Sequence, residues 1–195
     1  MRPLVIATRN GAKLREFRRL VASLPWRIIS LDEAGYRQDI PECGSTYAEN
    51  AVAKASVASG ATGLVALGDD SGIEVIALGG WPGLRSARWL GPEAGDGDRM
   101  RGLLDEVERR SPLDRRVRYV AAVALARPGE QPVVAHGVCD GVLVEPRGSN
   151  GFGYDPGFLS ADLGVTFAEA RDVDKDRVSH RGRAVAGLMG ALASV

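Results

Sequence analysis

Short apolar runs alternate with polar loops and helical patterns along the whole chain. The first run, Pro3 to Ala7, is continuous and apolar and predicts a buried strand, and the apolar residues after it recur at helical spacing. The pattern predicts strands at Pro3 to Ala7, Arg27 to Leu31, Leu64 to Gly68, Ile73 to Leu78, Val117 to Ala126, Pro132 to Cys139 and Gly141 to Glu145. It predicts helices carrying Leu14, Phe17, Leu20 and Val21, at about Tyr47 to Ser59, at about Asp98 to Glu108, and from a Ser179 cap towards the C-terminus.

The connections between these elements indicate the fold class. The first two elements form a strand, a polar loop and a helix, whereas Val117 to Ala126 and Pro132 to Cys139 are joined by a short turn typical of a β-hairpin. We therefore expect an α/β protein with a mixed sheet. The 195 residues suit a single domain, residues 1–195, and two lobes around a cleft are also compatible with this length.

Composition and charge narrow the possible partners. The chain has 25 Lys and Arg against 25 Asp and Glu, so no overall field would hold a nucleic acid. No apolar run is long enough for a signal peptide or a membrane span. Cys43 and Cys139 lie far apart without metal-ligand spacing, which favours reduced thiols and a cytoplasmic protein.

Two adjacent carboxylates follow the apolar run at Leu64. Side chains alternate between the two faces of an extended chain, so Asp69 and Asp70 cannot both point the same way while the strand continues. One of them is then structural, and the other could hold a divalent cation or orient water. The alternative is an aspartate-rich turn that caps a strand.

The loop Thr8 to Lys13 joins the first strand to the first helix. Thr8 and Asn10 are natural turn and cap residues, Gly11 permits a tight backbone, and Lys13 lies in the first helical turn. Backbone N–H groups and a lysine at a helix N-terminus can bind phosphate. A plain capped turn is the alternative.

A carboxylate and a lysine flank the next predicted helix start. Thr46 followed by Glu49 is a capping-box pattern, so Glu42 lies in the loop just ahead of a helix that carries Lys54. Glu42 could be a metal ligand if the fold brings it to Asp70, and otherwise it is a solvated carboxylate. Lys54 alone would be a surface lysine.

Two further segments carry polar and aromatic residues suited to a ligand. In the loop 148–157, flanking glycines would leave Phe152 and Tyr154 accessible to a planar ligand, with Asp155 beside them as a hydrogen-bond acceptor. The alternative is a turn whose aromatic rings pack into the core. His180 and Arg181 lie in the first turn of the last helix. Positive charges there oppose the helix dipole, and residues that break a local rule in this way favour a functional role.

Five motifs, taken together and in this order, resemble the inosine triphosphate pyrophosphatase family from about Leu4 to Ala186. They are Ala7-Thr-Arg-Asn-Gly-Ala-Lys13, Gly44-Ser-Thr-Tyr-Ala-Glu-Asn-Ala51, Asp69-Asp-Ser-Gly72 with Leu78-Gly-Gly-Trp-Pro-Gly83 and Ser86-Ala-Arg88, Gly151-Phe-Gly-Tyr-Asp-Pro156, and Ser179-His-Arg-Gly182. Four positions depart from the family pattern, namely Arg9, Cys43, Arg85 and Arg183.

The resemblance implies Mg²⁺-dependent hydrolysis of ITP, dITP and XTP to the monophosphate and pyrophosphate. It implies an elongated mixed sheet flanked by helices, with two lobes around an active-site cleft, in a homodimer that binds neither nucleic acid nor membrane. Asp70 would be the catalytic base, and Glu42 and Asp70 would hold Mg²⁺. The substrate would be bound by Thr8, Arg9, Asn10, Gly11, Ala12, Lys13, Lys54, Ser71, Arg88, Phe152, Gly153, Tyr154, Asp155, Lys175, His180 and Arg181.

Base chemistry predicts the selectivity of such an enzyme. Hypoxanthine and xanthine present a 6-oxo acceptor and an N1–H donor, which Lys175 or Arg181 and Asp155 could pair, whereas adenine reverses both groups. ATP should therefore be a poor substrate. Two rival functions remain open at this point: a pyrophosphatase for modified pyrimidine triphosphates, and a nucleotide-binding sensor without activity.

Overall fold

The computed structural model describes residues 1–194, and the strands of this part form one mixed sheet. β1 pairs in parallel with both β2 and β3, whereas β5 and β6 pair antiparallel. The order across the sheet is β2-β1-β3-β4-β5-β6. The strands are β1 (Arg2–Ile6), β2 (Trp26–Ser30), β3 (Val65–Val75), β4 (Arg116–Ala126), β5 (Val133–Leu143) and β6 (Phe158–Ser160).

Helices follow or separate these strands and confirm the predicted α/β class. Within residues 1–194, none of the helices has the length and apolar character needed to cross a membrane. The α-helices are α1 (Gly11–Leu20), α2 (Tyr47–Thr62), α3 (Asp96–Arg110), α4 (Asp172–Val178) and α5 (His180–Ala193), and short 3₁₀ turns lie at Ile76–Leu78, Gly83–Arg85 and Asp155–Gly157.

The chain divides into two compact units. The first contains Met1–Asp70, Ala121–Gly137 and the segment from Arg181 onward, and the second contains Ser71–Val120 and Val138–His180. Each unit has its own apolar core. Core residues of the first include Leu4, Ile6, Phe17, Leu67, Val123 and Leu188, and those of the second include Ile73, Leu103, Tyr119, Phe158 and Phe167.

Helix α2 packs very closely on β3 in the first unit. Its buried face includes Ala51, Ala55 and Ala58, as the small residues predicted. Opposite this face lies Gly68, where an added Cβ would come within 2.2 Å of Ala51 O and 2.6 Å of Ala55 N. Only glycine permits this approach, and it brings the polar residues of α2 to the carboxylates that follow Gly68.

Two strand predictions are wrong at their boundaries. We expected the chain to turn once it had presented Asp69, Asp70 and Ser71, but β3 continues through these residues to Val75. We also expected a separate strand from Gly141, but β5 runs on to Leu143. Gly141 is not a break here, because it allows Leu159 O of β6 to approach within 2.6 Å of where a Cβ would stand. The strand that pairs antiparallel with this end of β5 is β6, which was not predicted.

The segment before the last helix is also more regular than predicted. Residues Asp172–Val178 form α4, a helix that was not predicted. Asp172 and Asp174 lie in its first turn and Lys175 in its last, which complements the helix dipole. Helix α5 then begins at His180, directly after Ser179 as predicted.

Candidate active site

The loop after β1 is shaped by its own side chains. Asn10 caps α1, and its Oδ1 accepts hydrogen bonds from Ala12 N at 2.9 Å and Lys13 N at 3.1 Å. Thr8 Oγ1 accepts from Asn10 N at 3.1 Å. The predicted cap is confirmed, but these amides already have acceptors inside the loop. The charged group that the loop positions is therefore the Lys13 ammonium, and Gly11 is the first residue of the helix that carries it.

Arg9 is held by the segment that follows β2. Its guanidinium donates to Asp39 Oδ1 and Gln38 O, both at 2.9 Å, and lies 3.9 Å from Asp32. The side chain remains 37% exposed. Much of its charge is thus balanced locally.

The two carboxylates of β3 point to different partners, as strand alternation requires. Asp69 Oδ2 accepts from Lys13 Nζ at 2.6 Å, and its Oδ1 accepts from Arg181 Nε at 3.1 Å. Asp70 Oδ2 accepts from Asn50 Nδ2 at 2.8 Å, and its Oδ1 lies 3.5 Å from Lys54 Nζ.

These partners give the two carboxylates opposite pKa shifts. Burial alone would raise the pKa of Asp69, but the charges of Arg181 and Lys13 together lower it well below its ordinary value. Burial raises the pKa of Asp70, and Lys54 and Asn50 offset that only in part. Asp69 is therefore the more readily ionised of the two carboxylates, whereas Asp70 retains a greater affinity for a proton.

Glu42 and Asp70 share one cation. Lys54 Nζ pairs with a carboxylate oxygen of Glu42, lies 3.5 Å from Asp70 Oδ1, and donates to the backbone oxygen of Asp69 at 3.0 Å. The predicted loop carboxylate is thus brought to the β3 carboxylate, and Lys54 is 8% exposed rather than a surface lysine.

This donor set fits a magnesium ion. Among residues 1–194, no three His, Cys, Asp or Glu side chains gather into a metal-binding group. Mg²⁺ in nucleotide-hydrolysing sites, however, commonly takes only one or two carboxylates and completes its shell with water and substrate phosphates. Glu42 and Asp70 are hard oxygen donors directed at a common cation, which meets that requirement.

Asn50 is a site residue that the sequence interpretation missed. It is fully buried, its amide donates to Asp70, and its Oδ1 accepts from Gly44 N at 2.8 Å. It therefore ties the loop that carries Glu42 to the Asp70 carboxylate. The available signal was its spacing, since Asn50 and Lys54 are four residues apart and share a helix face.

The loop 148–157 builds a second polar cluster, within the second unit. Asp155 Oδ2 accepts from Lys175 Nζ at 2.7 Å and from Phe152 N at 2.8 Å, and Tyr119 OH donates to Asp155 Oδ1 at 3.3 Å. Lys175 Nζ also lies 5.4 Å from the centre of the Phe152 ring, within cation–π range. Both charged side chains are 3% exposed, so this ion pair is built into the core.

The two aromatic rings of this loop differ in accessibility. Phe152 is half-buried, but Tyr154 is 5% exposed and belongs to the core of the unit. Tyr154 OH donates to Ser86 O at 2.7 Å and accepts from Trp89 Nε1 at 2.8 Å, and burial raises its pKa to about 12. The expectation that its ring lies open to a planar ligand is wrong, because the core and these hydrogen bonds hold it. Gly153 N instead donates to Asp96 Oδ2 at 2.8 Å.

The resemblance implies that His180 and Arg181 both bind the substrate, and in the structure the two side chains contact different groups. The His180 ring stacks on Tyr119, with ring centres 4.5 Å apart. The Arg181 guanidinium is bound to Asp69 and Glu16. Successive residues of a helix point about 100° apart, so neighbours at the start of α5 cannot face the same partner. Arg181 thus shares the Asp69 carboxylate with Lys13.

Two predicted substrate residues lie further along the second unit. Ser71 follows Asp70 in β3 and is half-buried, and Arg88 is exposed in the turn after Gly83–Arg85. The neighbouring Ser86 fastens this turn to β3, since its hydroxyl accepts from Ile73 N at 2.9 Å and donates to Gly83 O at 2.6 Å.

Comparisons with known proteins agree on one family. The model of the Ham1 family matches residues 4–191. The chain is 41% identical over 193 residues to the dITP/XTP pyrophosphatase of Bacillus licheniformis, covering 98% of each chain. It is 44% identical over 189 residues to that of Geobacter sulfurreducens, covering 96% of this chain and 95% of the relative.

Solved structures show the same likeness. A HAM1 protein from Coxiella burnetii superposes with a TM-score of 0.88 at 38% identity, over 100% of both chains. The nucleoside-triphosphatase, or dITP/XTP pyrophosphatase, of Mycobacterium abscessus gives a TM-score of 0.74 at 38% identity, over 96% of this chain and 98% of that one.

Proposed function

Since the chain belongs to the Ham1 family, we propose that it hydrolyses non-canonical purine nucleoside triphosphates, including dITP, ITP and XTP, to the monophosphate and pyrophosphate. The family membership confirms the resemblance drawn from the five motifs, and the protein is an enzyme of the nucleoside triphosphate pyrophosphatase class. The observation that carries the proposal is the convergence of Glu42 and Asp70 on one cation, next to the ion pair of Lys13 with Asp69.

The chemistry assigned to the first unit is phosphoryl cleavage. Glu42 and Asp70 would hold Mg²⁺, which when bound neutralises phosphate oxygens and acidifies water. Asp70 orients a water and takes its proton as the water oxygen bonds to the α-phosphorus. The bond from that phosphorus to the bridging oxygen breaks, and pyrophosphate leaves. Asn50 holds one Asp70 oxygen by its 2.8 Å hydrogen bond, which fixes the direction of the other.

The cations of the first unit stabilise the triphosphate. Lys13 is fixed by Asp69 at a helix N-terminus, where an anion is already favoured. Its ammonium is assigned to the pyrophosphate leaving group, whose negative charge increases as the bond breaks. Lys54 would make a second phosphate contact when Glu42 and Asp70 hold the metal.

Base recognition is assigned to residues of the second unit. Lys175 is a donor for a 6-oxo group, and Asp155 is an acceptor for N1–H, with Phe152 as a stacking surface. Adenine would place a donor against Lys175 and an acceptor against Asp155. Two desolvated mismatches of this kind cost on the order of several kcal/mol. Guanine shares the 6-oxo and N1–H groups, so these contacts would discriminate against ATP and not against GTP.

The test is release of pyrophosphate from dITP, XTP, ATP and dUTP, measured side by side with Mg²⁺ and with EDTA. We expect rapid release from the first two, little from ATP and dUTP, and none with EDTA. Asp70→Asn should abolish turnover with an unchanged circular dichroism spectrum, and the matched control Asp105→Asn, at an exposed position of α3, should behave as wild type. Orthophosphate as the first product, faster cleavage of dUTP, or an active Asp70→Asn enzyme would each contradict the proposal.

The resemblance also implies a homodimer. Light scattering on purified protein should give the mass of two chains, and a mass of one chain would refute this part of the proposal.

A further inference from the structure

Four charged side chains of the first unit form a continuous series of ion pairs. Glu16 accepts from Arg181 Nη1, Arg181 Nε donates to Asp69 Oδ1 at 3.1 Å, and Asp69 Oδ2 accepts from Lys13 Nζ at 2.6 Å. The side chains of Glu16, Arg181 and Asp69 are 7%, 2% and 1% exposed, and that of Lys13 is 18% exposed. The charges alternate in sign and cancel, so the group can be buried without an uncompensated charge.

The two ends of this series belong to the same helix. Lys13 and Glu16 are three residues apart on α1 and therefore share a face, while β3 supplies Asp69 and α5 supplies Arg181. The four side chains thus form a series that starts and ends on α1 and passes through two other elements. Glu16 has no place in the sequence motifs, where it stands between Arg15 and Phe17 like an ordinary solvated residue. Burying it is costly, which calls for a role beyond solubility.

We propose that Glu16 is a positioning residue for Lys13: it binds one side of the Arg181 guanidinium and so leaves Asp69 Oδ2 to the Lys13 ammonium. Arg181 Nη2 already lies 3.4 Å from Asp69 Oδ2, close enough to compete for that oxygen. Without the Glu16 carboxylate, Arg181 would turn further onto Asp69 and displace Lys13 from it. The inference deepens the proposed function and rests on it for the assignment of Lys13 to the triphosphate.

A double-mutant cycle between Glu16 and Lys13 tests this role. The two readouts are kcat and KM for dITP, and the Kd of inorganic tripolyphosphate by calorimetry without metal. Glu16→Gln should weaken tripolyphosphate binding and lower kcat/KM by about tenfold or more, because small displacements of a positioned group are costly. In a Lys13→Met background the same change should alter either quantity by less than about twofold.

Two further variants keep the test decisive. Glu33→Gln is the matched control and should change neither quantity. Glu33 is an exposed glutamate after β2, and its carboxylate lies 3.7 Å from Arg18 of α1, outside the series of four ion-paired residues. If Glu16→Gln does not fold, Glu16→Asp, which keeps the charge but shortens the side chain, should give a smaller loss that again vanishes in the Lys13→Met background.

Equal losses in both backgrounds would overturn the proposal, because Glu16 would then act through general stability. So would unchanged tripolyphosphate binding in Glu16→Gln. Failure of the wild type to cleave dITP would refute the proposed function instead, and the tripolyphosphate cycle would still report on Glu16.

Discussion

Replacing Gly68 with alanine tests how closely α2 must approach β3. The added Cβ would meet Ala51 O at 2.2 Å and Ala55 N at 2.6 Å. Both are backbone atoms, so no side-chain rotation relieves the overlap. The helix must instead move away by about 1 Å to restore ordinary contact distances.

The displacement should affect both stability and turnover. Overpacking of this kind costs about 1–3 kcal/mol of unfolding free energy. Helix α2 also carries Asn50 and Lys54, which contact Asp70 at 2.8 Å and 3.5 Å. Misplacing catalytic groups by about 1 Å can cost on the order of a hundredfold in rate. We therefore expect Gly68→Ala to be less stable by about 1–3 kcal/mol and to lose about a hundredfold in kcat/KM.

Gly60 provides the matched control, because it lies in the same helix with no atom within 4 Å of an added Cβ. Alanine is favoured over glycine inside a helix by roughly 0.5–1 kcal/mol, so Gly60→Ala should be slightly more stable and equally active. Urea unfolding followed by circular dichroism and pyrophosphate release from dITP measure the two effects. Wild-type stability and turnover in Gly68→Ala would refute the packing argument.

Two other predictions concern the charged groups. Lys54→Met removes an ammonium from between Glu42 and Asp70. Mg²⁺ should then bind on the order of tenfold more tightly, as measured by calorimetry without nucleotide, while kcat/KM falls. Weaker metal binding would contradict the shared site. Asp69, whose folded-state pKa is lowered despite burial, contributes stability that is present above its unfolded pKa of about 4 and is lost as the pH falls further. The urea midpoint of the wild type should therefore drop more between pH 7 and pH 3 than that of Asp69→Asn, and equal drops would show that the Asp69 ion pairs contribute nothing.

Local signals predicted local structure well. Asn10 and Thr46 were expected to cap α1 and α2, and each does so through its side-chain oxygen. The small residues of α2 also identified its buried face. Such features depend on neighbours within one or two turns, so the chain segment itself contains the information.

The environment of each site residue was harder to predict. Strand alternation showed that Asp69 and Asp70 must differ, but which one is held by two cations at once depends on Arg181, 112 positions later. The burial of Tyr154 and Glu16 was likewise missed, because each is set by partners distant in the chain, Ser86 for the former and Arg181 for the latter. Motifs identify which residues belong to the site, whereas hydrogen bonds and ion pairs between distant parts of the chain decide which partner each side chain contacts.

The series of ion pairs among Lys13, Glu16, Asp69 and Arg181 also constrains when the protein can become active during its synthesis. Arg181 pairs with Glu16 across 165 positions, and Trp26 Nε1 donates to Leu192 O across 166. Domains tend to fold as they leave the ribosome, N-terminal parts first, but contacts this distant must wait for the later residues. The first loop of the chain is translated early, yet Lys13 gains its full set of supports only after α5 has emerged. A nascent chain that ends before Arg181 should consequently hold two buried acids with too few cations, and it should neither order this loop nor bind tripolyphosphate.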